Sequence, residues 1–145
     1  MQTQTHPSLK ARAEIARASE IIKSCVHCGL CTAHCPTYQL LGDERDGPRG
    51  RIYLIKQMIE TNEATDNTST HLDRCLTCRA CETVCPSGVQ YAELLYTGRR
   101  LAEEKTGSKA GLMILKYLLS SFLPYSNRVS LLFGLARLFK PILPK

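Results

Sequence analysis

The chain has 145 residues, 43% of them hydrophobic, with no Trp and a formal net charge of +6. That length holds one small domain or a domain with an appendage, and so few large aromatic side chains leave room for a stabiliser besides a core. The charge is uneven: after Glu104 come Lys105, Lys109, Lys116, Arg128, Arg137, Lys140 and Lys145 and no acidic residue, so the preceding part is slightly negative and, lacking a basic stripe interleaved with aromatics, excludes a nucleic-acid binder.

In chain order, MQTQTHPSLKARAEIARASE shows neither an apolar h-region nor a small-residue cleavage site, which predicts no secretory signal and a reducing compartment for the cysteines. Residues 9–24, rich in Ala, Glu, Lys and Arg around Leu9, Ile15 and Ile22, predict a helix running into Cys25. The first cysteine run, CVHCGLCTAHCP, occupies 25–36. Residues 42–50 (GDERDGPRG) read as a loop. Pro48 suits the first helical position, and Ile52, Ile55 and Ile59 then mark the apolar face of a helix over 49–60. The polar stretch 61–70 predicts a loop, with Ser69 or Thr70 capping a short helix that leads to Cys75. The second run, CLTCRACETVCP, occupies 75–86.

Beyond it, Ser87 and Gln90 stand at capping-box spacing and predict a helix over 88–105, in which Gly98 costs about 1 kcal/mol relative to Ala. Two further helices are expected at 109–123 and 127–140, ended by Pro124 and Pro141. No stretch alternates as a strand would. The expected fold class is therefore all-α, with a domain at 1–105 and a basic amphipathic helical tail at 106–145. The tail's apolar stretches, GLMILKYLLSSFLP and VSLLFGLARLF, are shorter than ~18 residues and broken by Lys or Arg, so neither makes a transmembrane span. They read either as helices packing on the domain or a partner, or as an interfacial membrane helix.

All eight cysteines fall between Cys25 and Cys85, as two copies of C-x2-C-x2-C-x3-C-P in register, Cys25 answering to Cys75. In a reducing compartment such density points to metal rather than disulfides. A cubane has four iron corners, each needing one thiolate. Three cysteines at x2 spacing wrap three corners, and the fourth faces away. In bacterial two-cluster ferredoxins with this spacing the fourth Cys ligates the other cluster. Under that rule Cys25, Cys28, Cys31 and Cys85 hold one [4Fe–4S] cluster, and Cys75, Cys78, Cys81 and Cys35 hold the other. The metal then staples a core too small to stand alone. Pro36 and Pro86, fixed in φ, turn the chain so that each fourth thiolate faces the neighbouring cluster. Structural zinc also uses CxxC pairs but needs neither the third x2 cysteine nor the CP step.

Eight cysteines already serve eight irons, so His27 and His34 are surplus as ligands. They read as surface groups or as neighbours that tune a cluster's potential. Arg45, Arg49 and Arg51 either offset cluster charge or form solvated pairs with Asp43, Glu44 and Asp46. No trusted nucleophile–base constellation, G-x-G-x-x-G or P-loop is present, so the expected role is relaying electrons, with no nucleotide bound and no substrate chemistry.

The segments CVHCGLCTAHCPTYQLLGDERDGPRGRIYLIKQMIE and HLDRCLTCRACETVCPSGVQY closely resemble the iron–sulfur subunits of bacterial glycolate oxidases (glycolate dehydrogenases). Related subunits serve anaerobic glycerol-3-phosphate dehydrogenase, lactate utilisation and heterodisulfide reductases. The resemblance covers roughly 9–145, loosely in the tail, and the eight cysteines match the family motif one for one. It implies an α-helical ferredoxin module with two [4Fe–4S] clusters in a cytoplasmic complex, peripheral on the inner face of the membrane through the 106–145 tail. Flavin-containing subunits of the same complex would oxidise glycolate to glyoxylate, and the clusters would pass the electrons to a membrane acceptor. Family members continue into a larger C-terminal region with cysteine-rich repeats, so the tail reads as the start of a linker and the chain as a fragment or a short version. The alternatives are a subunit of a glycerol-3-phosphate or lactate dehydrogenase or of a heterodisulfide reductase, or a free-standing ferredoxin.

Overall fold

A computed structural model describes residues 1–107, 117–121, 124, 125 and 130 of the chain. By its internal contacts the chain divides into two units, Met1–Gly107 and Ser108–Lys145. Both cysteine runs lie in the first. Among the described residues there are helices and turns and no strand, the class that the absence of alternating patterns predicts.

Six α-helices build the first unit: α1 Ala13–Ser24, α2 Pro36–Leu41, α3 Pro48–Thr61, α4 Asp66–Asp73, α5 Ala80–Thr83 and α6 Tyr91–Thr106, with 3-10 turns at Pro7–Leu9 and Glu44–Asp46. Helix α1 starts four residues later than the sequence predicts, because the 3-10 turn takes up Leu9. It buries Ile15, Ala18, Ile21 and Ile22 and runs into Cys25 as expected. Helix α3 has Pro48 at its first turn and buries Ile52, Ile55, Met58 and Ile59, then ends on Asn62 in the left-handed region (φ 59).

Two expectations need correction, and one stretch carried none. Residues 36–41, left unassigned by the patterning, form α2, opened by Pro36. The polar stretch 61–70 is not all loop. Thr65, rather than Ser69 or Thr70, caps α4 by accepting the Thr68 N–H at 3.2 Å, so the helix begins at Asp66. Helix α6 begins at Tyr91, three residues late, and its N-cap Gln90 has no side-chain cap bond, so the expected capping box at Ser87 and Gln90 does not set its start. Gly88 holds φ 60 just ahead of it, which a helix cannot continue through. Of the helices expected at 109–123 and 127–140, residues 117–121 and 130 are helical and the remainder lies outside the described residues.

Helix α6 packs on α1, α3 and α4. It supplies Leu94, Leu95, Leu101 and Ala102 to a core completed by the isoleucines of α1 and α3 and by Leu72. Gly98 is the point of closest approach: a Cβ there would stand 2.6 Å from Ile55 Cγ1. Its cost in helix propensity is thus offset by the α3–α6 contact it permits. At the outer edge, Arg12 pairs with Glu104 at 2.7 Å and Arg17 with Glu93 at 3.3 Å, tying α1 to α6.

Candidate metal centre

The two runs fold alike, hydrogen bond for hydrogen bond. Cys25 N–H donates to Ile22 O (3.1 Å) as Cys75 N–H donates to Leu72 O (3.2 Å). Thr32 N–H donates to Gly29 O and Glu82 N–H to Arg79 O, both at 2.9 Å. Cys35 N–H then reaches Thr32 O (3.1 Å), as Cys85 N–H reaches Glu82 O (3.2 Å). The same pairs of positions leave the ordinary backbone regions. His27 and Thr77 both hold φ 56, and Gly29 and Arg79 hold φ 82 and 62. Left-handed residues between successive cysteines coil the run tightly enough for three sulfurs to face one side.

A cation pins the start of each coil. The Met1 ammonium donates to Lys23 O (3.0 Å) and Cys25 O (2.8 Å). At the matching second-run positions, Arg99 Nη2 donates to Asp73 O (3.2 Å) and Cys75 O (2.7 Å), and Arg99 also bonds Leu72 O. Carbonyls left free where a helix ends are satisfied this way.

All eight cysteines are free thiols. Two hollows open among them. The first is lined by Cys25, Cys28, Cys31 and Cys85, with His27, Arg49, Ile52 and Val89, and leaves about 450 Å³ free of atoms, part of it open to solvent. The second is lined by Cys35, Cys75, Cys78 and Cys81, with His34, Thr37, Arg51 and Arg79, and leaves about 310 Å³. Cys81, Pro48 and Tyr91 line both and form the wall between them.

The donor set fits a metal group. Burial, with the nearby Cys31 and Cys75 sulfurs, pushes the Cys81 thiol up to about 12. Burial raises Cys31 as well. Crowded sulfurs resist losing their protons one by one, and a cationic metal is what displaces them. Burial, then the Cys75 charge, lifts the Tyr91 phenol well above its ordinary value, so its hydroxyl stays a donor, 3.8 Å from Cys75 Sγ.

The three arginines of the 42–51 stretch divide. Arg45 pairs with Asp43 (2.7 Å) at the surface, and Arg49 pairs with Glu44 (2.6 Å) half-buried beside the first hollow. Arg51 is fully buried, as is Asp46. Asp46 stands 2.9 Å from His71 Nδ1, 3.0 Å from Arg74 Nη1 and 3.6 Å from Arg51 Nη2. Asp43, Asp46 and His71 present ligand atoms within 4.8 Å of one another, but these carboxylates already face arginines, which leaves no call for a cation. Arg51 Nε donates to His71 O (2.7 Å), and both of its Nη atoms reach Thr37 Oγ1 at 3.2 Å. Thr37 Oγ1 lies 3.1 Å from Cys35 Sγ.

His27 lines the first hollow with its buried Nε2 unpartnered, and burial, then the Arg49 charge, lowers its pKa. His34 lies at the second hollow, its Nδ1 3.2 Å from Leu30 O. Sequence reasoning missed Thr37, Tyr91, Arg99 and His71. Their contacts span 2 to 27 residues of chain and follow no local pattern.

Residues 21–89 match the family model of the 4Fe-4S dicluster domain. The chain is 51% identical over 145 residues to the glycolate oxidase iron–sulfur subunit of Escherichia coli (strain K12), covering all of this chain and 36% of that protein. It is 39% identical over 112 residues to a probable glycolate oxidase iron–sulfur subunit of Bacillus subtilis (strain 168), covering 73% of this chain and 24% of that one. Over 84 residues it is 32% identical to the subunit C2 of an H2/formate:CoB-CoM heterodisulfide,ferredoxin reductase from Methanococcus maripaludis, covering 58% of this chain and 42% of that one. The chain thus spans about a third of the length of the first of these relatives.

Proposed function

Residues 21–89 belong to the 4Fe-4S dicluster family, and from that premise we propose that the chain supplies the iron–sulfur relay of a glycolate oxidase. Two [4Fe–4S] clusters and an electron-transfer role follow from the dicluster domain and its eight cysteines. The ligand sets are our assignment: Cys25, Cys28, Cys31 and Cys85 for one cluster, Cys75, Cys78, Cys81 and Cys35 for the other. The observation that carries it is the lining of the two hollows, where each fourth cysteine stands with the three of the opposite run.

When bound, the clusters supply one-electron carriage. The chain's own residues cage them, place the Tyr91 and Thr37 hydroxyls near sulfur, and separate the two hollows with Pro48, Cys81 and Tyr91. Flavin-containing subunits of the same complex oxidise glycolate, this chain accepts the electrons, and a membrane acceptor receives them. The glycolate oxidase part of this reading is supported by the Escherichia coli and Bacillus subtilis relatives, which are glycolate oxidase iron–sulfur subunits, the second a probable one. The 1–105 segment is the cluster domain, and the basic 106–145 segment is assigned to peripheral contact at an anionic membrane face. Among the described residues no helix is long and apolar enough to cross a membrane.

Anaerobic purification with metal analysis tests the assignment: about eight irons and eight sulfides per chain are expected, and two zincs would overturn it. The purified complex should reduce a quinone analogue with glycolate. Turnover of glycerol 3-phosphate in its place would reassign the substrate.

A further inference from the structure

Resting on that reading, we propose that Thr37, Arg51 and Tyr91 set the two clusters apart in reduction potential. The cluster held by Cys35, Cys75, Cys78 and Cys81 is the higher, and the transferred electron settles there. Hydrogen-bond donors at ligating sulfurs and nearby positive charge stabilise the more negative reduced form, and so raise the potential.

The two sides differ in how deeply the charge is buried and in how it is paired. At the second hollow, Tyr91 O–H points at Cys75 Sγ from 3.8 Å. Thr37 Oγ1 takes N–H bonds from both Nη atoms of Arg51 at 3.2 Å, which fill its lone pairs. Its own proton goes to Asp46 O at 2.7 Å, so Thr37, 3.1 Å from Cys35 Sγ, holds the Arg51 guanidinium against that sulfur. Arg51 Nη1 is itself 4.0 Å from Cys35 Sγ, and this guanidinium is fully buried, so water does not screen its charge. Its counter-charge Asp46 is shared with Arg74, which leaves the group with two guanidiniums to one carboxylate. At the first hollow Thr32 faces Cys31, the walls Ile52 and Val89 are apolar, and Arg49, which also lines the hollow, is half-exposed and paired with Glu44 at 2.6 Å. These residues act through the sulfurs and are positioning residues.

The test is an anaerobic redox titration of the full chain followed by electron paramagnetic resonance, with iron counted in every sample. The signal altered by Cys35→Ser identifies the second cluster. In the native protein that signal should appear at the higher potential. Tyr91→Phe and Thr37→Val should each lower it by up to about tenfold in the reduction equilibrium, about 59 mV for a one-electron couple. The first cluster should stay in place as internal control. Thr37→Ser, which keeps the hydroxyl, should restore the native value, a rescue that a packing role would not produce. If Thr37→Val loses iron, Tyr91→Phe reads the same signal without touching the buried ion group. Eight irons with equal potentials, or with the second cluster lower, or with both variants unchanged, would overturn the inference and leave the relay standing. A native chain without eight irons would overturn the relay itself.

Discussion

The two cysteine runs are one backbone built twice into unlike surroundings. From Cys25 to Cys35 and from Cys75 to Cys85 the hydrogen bonds, the left-handed residues and the entering cation repeat. Past the fourth cysteine the likeness ends. Pro36 opens helix α2, which lays Thr37 against Cys35 and the buried Asp46–Arg51 pair. Pro86 opens a turn closed by Gly88 N–H on Cys85 O, and the chain beyond it contributes apolar Val89 to the first hollow. The lesson is that repetition makes the cage and the unrepeated neighbours make the difference between cages.

Exchanging ligands breaks the comparison hardest. Cys85→Ala is expected to remove the cluster shared with Cys25, and Cys35→Ala the one shared with Cys75, each taking about half of the iron. Spectra in which Cys85→Ala and Cys75→Ala lose the same cluster would refute the crossed cages. Next comes the ion group found on one side alone. Asp46→Ala strands Arg51 in a dry interior and should cost about 3–5 kcal/mol, read as a lowered midpoint of chemical unfolding.

A smaller disturbance reaches the same side through the backbone. A Cβ at Gly50 would fall 2.1 Å from Glu44 O, so Gly50→Ala must push the 3-10 turn carrying Asp46 outward. A loss of about 1–3 kcal/mol is expected in a thermal melt. The finest comparison swaps matching positions. Gly29→Ala puts a side chain at φ 82 and should cost about 1–2 kcal/mol, while Arg79→Gly frees φ 62 and should gain a similar or smaller amount. Opposite signs in paired unfolding curves support matched coils, and equal signs would argue that the surroundings, not the backbone, decide.

Much of this was legible beforehand. The cysteine spacing announces two cages, and period-3.6 isoleucines announce α1 and α3. What escaped is physical rather than accidental. Helix α2 is six residues long, too short for a periodic signal, and depends on Pro36 and the left-handed Gly42 for its ends. The cap at Thr65 was hidden because Ser69 and Thr70 offer the same chemistry four and five residues on, and only the tertiary fit of α4 chooses among them. Gly98 looked like a propensity cost because its compensation, Ile55, lies on another helix. The arginines of 45–51 looked equivalent in sequence, and burial alone separates Arg51 from Arg45 and Arg49.

The thin partition formed by Cys81, Pro48 and Tyr91 has a consequence for the relay. With one sulfur lining both chambers, an electron held on either side already stands at the threshold of the other.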